Sequence, residues 1–173
     1  MGDTLLIIAP EKFRDEELFD TKSVLEESGF VTVIASKTAG VKKGMMGATA
    51  KAEISLGKVD VNDYKAIIFI GGPGASFYFE NAAALNIARE SIKNNKILAA
   101  ICIAPIILGN AGVLVGKNVT CWDDPFRTYS KKLKAKGAKY TGKEIETDGR
   151  IITANGPEAS KLFGKAIVDA LNN

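Results

Sequence analysis

Three uninterrupted apolar runs organise the chain, each ending in an abrupt break. They are Thr4-Leu5-Leu6-Ile7-Ile8-Ala9, Lys65-Ala66-Ile67-Ile68-Phe69-Ile70 and Lys96-Ile97-Leu98-Ala99-Ala100-Ile101. Runs of this length without polar alternation suit strands buried on both faces of a parallel sheet, although periodicity alone does not separate them from buried helix segments. Val31-Thr32-Val33-Ile34-Ala35 and Asn118-Val119-Thr120-Cys121-Trp122 read as further strands. Helical spacing takes over between these runs. Asp15-Glu16-Glu17 opens a helix with acids in its first turn, where the dipole favours them, and Leu18 and Leu25 continue its stripe to Gly29. Residues 82–94 carry Leu85, Ala88 and Ile92 on one side, a helix runs up to about Lys136, and a last one from Pro157 bears Leu162, Phe163, Ala166, Ile167 and Leu171. Residues 10–14 read as a loop. Residues 36–62, rich in Gly, Lys and Ala, read as a hairpin or short edge strands, and Asp148-Gly149 between two β-prone runs predicts a second hairpin.

Strands alternating with helices imply βαβ units. The expected architecture is α/β, a flavodoxin-like three-layer sandwich with a mostly parallel central sheet, one domain spanning residues 1–173. With 46% hydrophobic residues the chain is rich enough to bury such a core. The net charge of +3 is small and mixed in sequence, and Lys131-Lys132-Leu133-Lys134-Ala135-Lys136 reads as a solvated helix face, so no nucleic-acid partner is expected. No apolar run reaches the ~20 residues of a membrane span, and the start lacks a secretory pattern. Cys102 and Cys121 have no metal-ligand spacing. We therefore expect a cytoplasmic protein with reduced thiols, no membrane partner, no metal and no cofactor. The chain contains no histidine. This excludes Ser-His-Asp and Cys-His-Asn arrangements and imidazole-ligated zinc, even with residues from a second copy. Catalysis must come from carboxylates, thiols, amines or backbone dipoles.

In an open parallel sheet, ligand sites lie beyond the carboxyl ends of the strands. Four segments converge there: residues 10–17, Gly71-Gly72-Pro73-Gly74-Ala75, Cys102 with its successors, and Ala154-Asn155-Gly156-Pro157. Cys102 ends a strand, and Pro105 fits the first turn of a helix but not its interior, so the chain reads strand, sharp turn, helix. The alanines two before and two after Cys102 suit the crowding of a nucleophile elbow. A helix amino terminus beyond the turn is expected to lower the Cys102 pKa, with Ile103 N–H aimed at the same point. The alternative is a small buried hydrophobe. Counting G-x-G-x-x-G from Gly72 puts Phe77 where the last glycine belongs, so phosphate binding is poorly supported.

These segments together resemble the ThiJ/PfpI superfamily, which includes the Parkinson-disease protein deglycase. The resemblance rests on Phe13-Arg14-Asp15-Glu16-Glu17-Leu18, Ile70-Gly71-Gly72-Pro73-Gly74, Ala99-Ala100-Ile101-Cys102-Ile103-Ala104-Pro105 and Ile151-Ile152-Thr153-Ala154-Asn155-Gly156-Pro157, in that order. It implies that Cys102 is the nucleophile and that Glu17 is the glutamate bonded to it. It also implies that the N–H groups of Gly72 and Ile103 form an oxyanion pocket, lined by Gly71, Pro73, Trp122, Gly156 and Pro157. On the residues alone, Glu17 reads first as a helix-start acid, a purpose Asp15 and Glu16 serve as well, and Trp122 as a core or interface aromatic.

Two departures stand out. Ile103 replaces the histidine that follows the cysteine in the protease-like branch, which weakens an intracellular peptidase reading. Trp122, after Cys121, stands where the deglycase-like branch has a histidine. The function implied is a cysteine-dependent glyoxalase III or deglycase acting on small carbonyls, as a homodimer or larger homo-oligomer. The alternatives are a cysteine redox sensor or stress-protective protein, an intracellular peptidase and, last, a flavin carrier. The role of Cys121 stays open.

Overall fold

The computed structural model describes residues 3–173. The chain runs β1 (Thr4–Ile7), β2 (Glu11–Phe13), α1 (Asp15–Glu27), β3 (Thr32–Ser36), β4 (Gly40–Gly44), β5 (Thr49–Ala52), β6 (Ile54–Ser55) and β7 (Ala66–Phe69). It continues with α2 (Ala82–Lys93), β8 (Ile97–Ile101), α3 (Pro105–Asn110), β9 (Asn118–Val119), α4 (Thr128–Ala135), β10 (Lys139–Tyr140), β11 (Ile145–Asp148), β12 (Ile151–Ala154) and α5 (Ser160–Asn172). Seven strands make the central sheet in the order β11-β12-β8-β7-β1-β3-β6. Every pairing in it is parallel except the β11–β12 hairpin. The three apolar runs are its centre: β1, β7 and β8 are buried along their whole lengths, which is why they lack alternation.

Helices α1 and α5 pack together on one face, and α2 and α3 on the other, giving the three layers. Gly164 permits the first pairing, since a Cβ there would lie 2.9 Å from Val24 Cβ. Phe163 and Ile167 of α5 are buried in the core, while Leu162 faces outward.

Two of the expected segments come out differently, residues 10–14 and 118–122. Residues 11–13 form β2, pairing in parallel with β4, rather than an open loop. Residues 36–62 hold the expected hairpin, β4–β5, which joins β2 in a three-stranded sheet, and a short edge strand of the central sheet, β6. The strand expected over residues 118–122 stops at Val119 and pairs only with β10. The next donors go elsewhere: Thr120 N–H to Thr153 Oγ1 at 2.9 Å, and Trp122 N–H to the Cys102 carbonyl at 2.9 Å. With these N–H groups committed to separate partners, no ladder can continue.

Candidate functional site

Cys102 follows directly on β8, in the left-handed backbone region with φ 64°. For a residue with a Cβ this conformation costs about 1–2 kcal/mol, so its surroundings must hold it. They do so from both sides: Cys102 N–H donates to the Ala154 carbonyl at 3.0 Å, and its own carbonyl accepts from Trp122 N–H. Ala104 N–H closes the turn on the Ile101 carbonyl at 3.1 Å, and Pro105 starts α3. Ala100 and Ala104 are fully buried where strand and helix crowd each other.

Glu17 approaches the elbow from the first turn of α1 and is fully buried. Gly71 N–H donates to its Oε2 at 2.9 Å. Its Oε1 is buried with no hydrogen-bond partner in good geometry among the described residues. The Cys102 thiol and this carboxyl line the same cavity and come together against Gly71. Gly71 makes that approach possible, because a Cβ there would fall 2.5 Å from Cys102 Cβ and 2.6 Å from Glu17 Oε2. Gly72, at φ 95°, has the same intolerance: a Cβ would collide with Arg14 N and lie 2.8 Å from the Lys12 carbonyl.

Charge in this corner is set mainly by burial. Burial pushes Glu17 up to about 7, against the opposing pull of the Cys102 thiol, the Gly71 N–H and the Arg14 cation. Burial also pushes Cys102 up, to about 12, and a Glu17 carboxylate adds to the effect; N–H groups of Gly72 and Ile103 pull the other way. The lowering expected from a helix amino terminus is thus overturned. Regular helix begins only three residues later, at Pro105, and α3 spans six residues, too little to offset desolvation. The two groups titrate as a pair, and a proton on Glu17 removes the repulsion that raises the thiol. Cys121, one residue from the Trp122 contact, is also buried, and burial raises its thiol as well.

A cavity of about 330 Å³ opens over the thiol. Cys102, Glu17, Gly72 and Ile103 line it together with Pro73, Trp122 and Pro157. Gly71 and Gly156 are not part of the lining. Gly71 serves through its N–H to Glu17, and Gly156 backs Trp122, with a Cβ position 3.5 Å from Trp122 Cδ1. Three lining residues escaped the sequence reading: Arg14, Met45 and Tyr129. Arg14 lay inside a quoted motif, but nothing in the spacing turned it toward the thiol. Met45 arrives from the β4–β5 turn, which Asp15 ties down by accepting Met46 N–H at 2.8 Å and Ala48 N–H at 2.9 Å. Tyr129 comes from α4 and meets Trp122 edge to face, with ring centroids 5.7 Å apart. Larger hollows beside α5 and beside Lys37 hold neither a thiol nor a buried acid.

Comparison with known proteins places this geometry in context. The model of the DJ-1/PfpI family matches residues 3–170. The chain is 36% identical to an uncharacterized protein of Methanocaldococcus jannaschii over 168 residues, covering 96% of this chain and 81% of that one. It is 28% identical to a glutathione-independent glyoxalase of Caenorhabditis elegans, covering 96% and 87%. The crystal structure of a ThiJ/PfpI domain protein from Brachyspira murdochii superposes with a TM-score of 0.93 at 30% identity, covering 98% of this chain and 95% of that one.

Proposed function

The chain belongs to the DJ-1/PfpI family, and from that premise we propose that it is a cysteine-dependent enzyme acting on small reactive carbonyls, with glyoxalase III or deglycase-like chemistry. One observation carries the reading. A buried carboxyl and a thiol on a left-handed elbow line one cavity together with Gly72 and Ile103, and Gly71 between them has no room for a Cβ.

In this reading Cys102 Sγ bonds to the aldehyde carbon of a 2-oxoaldehyde, and the thiol proton passes to Glu17. Burial has raised the proton affinity of Glu17 into the neutral range, where a general base is most effective. The displaced electron pair goes to the carbonyl oxygen, which Gly72 and Ile103 N–H stabilise. Glu17 returns its proton there, giving the hemithioacetal. It then moves the hydrogen of the first carbon to the second as a proton, while the hydroxyl proton of the first carbon passes to the oxygen of the second, and the adduct becomes the thioester of a 2-hydroxy acid. Water releases the 2-hydroxy acid and restores the thiol. Trp122 offers an apolar surface and one N–H, but no proton shuttle, so Glu17 performs each transfer.

The test is methylglyoxal consumption with lactate measured as product, for wild type, Cys102→Ala and Glu17→Gln. The reading expects both variants to lose turnover by at least a hundredfold. Full turnover in Cys102→Ala, or none in wild type, overturns it.

A further inference from the structure

Arg14 is the sole cation among the described residues lining the Cys102 cavity. Its side chain is 28% exposed and held from outside. Nε donates to Glu16 Oε2 at 2.7 Å, Nη2 to Glu16 Oε1 at 3.3 Å, and Nη1 contacts Met45 Sδ at 3.6 Å. Glu16, its hydrogen-bonded partner, does not line the cavity; Glu17 does, and its buried carboxyl feels the Arg14 charge without a hydrogen bond to it. An arginine has five N–H donors. Glu16 takes two and the weak sulfur acceptor one, which leaves two without a partner among the described residues, on a guanidinium that is already fixed in place. A fixed planar fork with spare donors suits a carboxylate, and less is lost in ordering it than for a free arginine. In the same lining, Trp122 and Tyr129 supply an apolar surface for a short carbon chain.

We infer that Arg14 selects anionic substrates, and that the preferred class is 2-oxoaldehydes bearing a carboxylate a few carbons from the reactive pair. This rests on the reading of the site given above. The probe is 4,5-dioxopentanoate. Its aldehyde would add the Cys102 thiol, forming the Sγ–C bond while the thiol proton ends on oxygen. The hydrogen of that carbon then moves to the neighbouring ketone carbon and its hydroxyl proton to the ketone oxygen, leaving a thioester; water cleaves it to 2-hydroxyglutarate and restores the thiol. The aldehyde carbon is oxidised by as much as the ketone carbon is reduced, so no external oxidant or reductant enters.

Two measurements test the inference, each on wild type, Arg14→Gln and Arg14→Lys, with circular dichroism to confirm folding. The first is the rate of Cys102 alkylation by iodoacetate relative to iodoacetamide, reagents of similar size that differ in charge, with the modified residue assigned by peptide mapping. The second is the kcat/KM ratio for 4,5-dioxopentanoate over methylglyoxal. Arg14→Gln should lower both ratios about tenfold, the scale of one charge-assisted hydrogen bond. Arg14→Lys should fall between, keeping the charge without the fork. Ratios in Arg14→Gln within twofold of wild type overturn the inference, and they leave the enzyme reading intact if methylglyoxal is still consumed. An alkylation ratio that follows Arg14 in a protein turning over neither carbonyl supports anion selection at this cavity and removes the enzyme reading.

Discussion

Replacing Glu17 by Gln should change how stability depends on pH. The wild-type carboxyl has an ordinary value of 4.5 and a folded value near 7, raised chiefly by burial. Between these two values the unfolded chain has released this proton while the folded chain retains it. Raising the pH across that window therefore favours unfolding, by about 1.4 kcal/mol per pH unit for a single group. The loss is complete once the folded group has also ionised, and it amounts to roughly 3 kcal/mol. Glutamine keeps the shape, can accept from Gly71 N–H through its oxygen, and has no proton to lose. Asp3, Glu26 and Asp148, whose carboxyls are held low by their own partners, push the other way in both proteins and cancel in the difference. Urea unfolding at pH 4.5, 6, 7 and 8.5 measures that difference. At pH 4.5 the two proteins should be similar. At pH 8.5 Glu17→Gln should be more stable by about 3 kcal/mol, which for a slope of ~2 kcal/mol/M is a midpoint shift of about 1.5 M. A difference that stays flat within about 0.5 kcal/mol, or that favours wild type at high pH, would refute the argument that Glu17 is buried at a cost.

Other substitutions test the geometry around it. Gly71→Ala drives a methyl into Cys102 Cβ and Glu17 Oε2 and should destabilise by about 1–3 kcal/mol while slowing Cys102 alkylation, read by urea unfolding and labelling rate. Cys102→Gly should be more stable than Cys102→Ala by about 1 kcal/mol in thermal unfolding, because only glycine takes φ 64° without strain. Asp15→Ala removes two acceptors from the β4–β5 turn; it should cost about 2 kcal/mol and make the chain around residues 45–47 the first site of limited proteolysis.

Much of this was legible in the chain because burial writes itself into composition. The runs that became β1, β7 and β8 are apolar throughout since both faces are covered, and the alanines around Cys102 disclose the crowding at the elbow. Glu17, by contrast, looked no different from Asp15 and Glu16. All three suit a helix start, and only the fold sends one to the thiol, one to the hairpin turn and one to Arg14. The proton balance at Cys102 was misjudged for a related reason. A dipole can be anticipated from a strand-turn-helix pattern, but the depth of burial depends on the loops that roof the site. Residues 118–122 misled because an alternating, β-branched stretch looks like a strand whether or not a neighbour is present to pair with it.

The backbone of Cys102 also bears on cooperativity. Its N–H and carbonyl are anchored to Ala154 and Trp122, chain ends of β12 and of the segment after β9, so the elbow is joined to two distant parts of the sequence at once. Released from either anchor, the residue would relax out of the left-handed region. It follows that the reactive geometry has no local melting step of its own. Amide exchange at Cys102 should proceed only through the opening that separates β8 from β12, and heat should extinguish reactivity and the central sheet in a single transition.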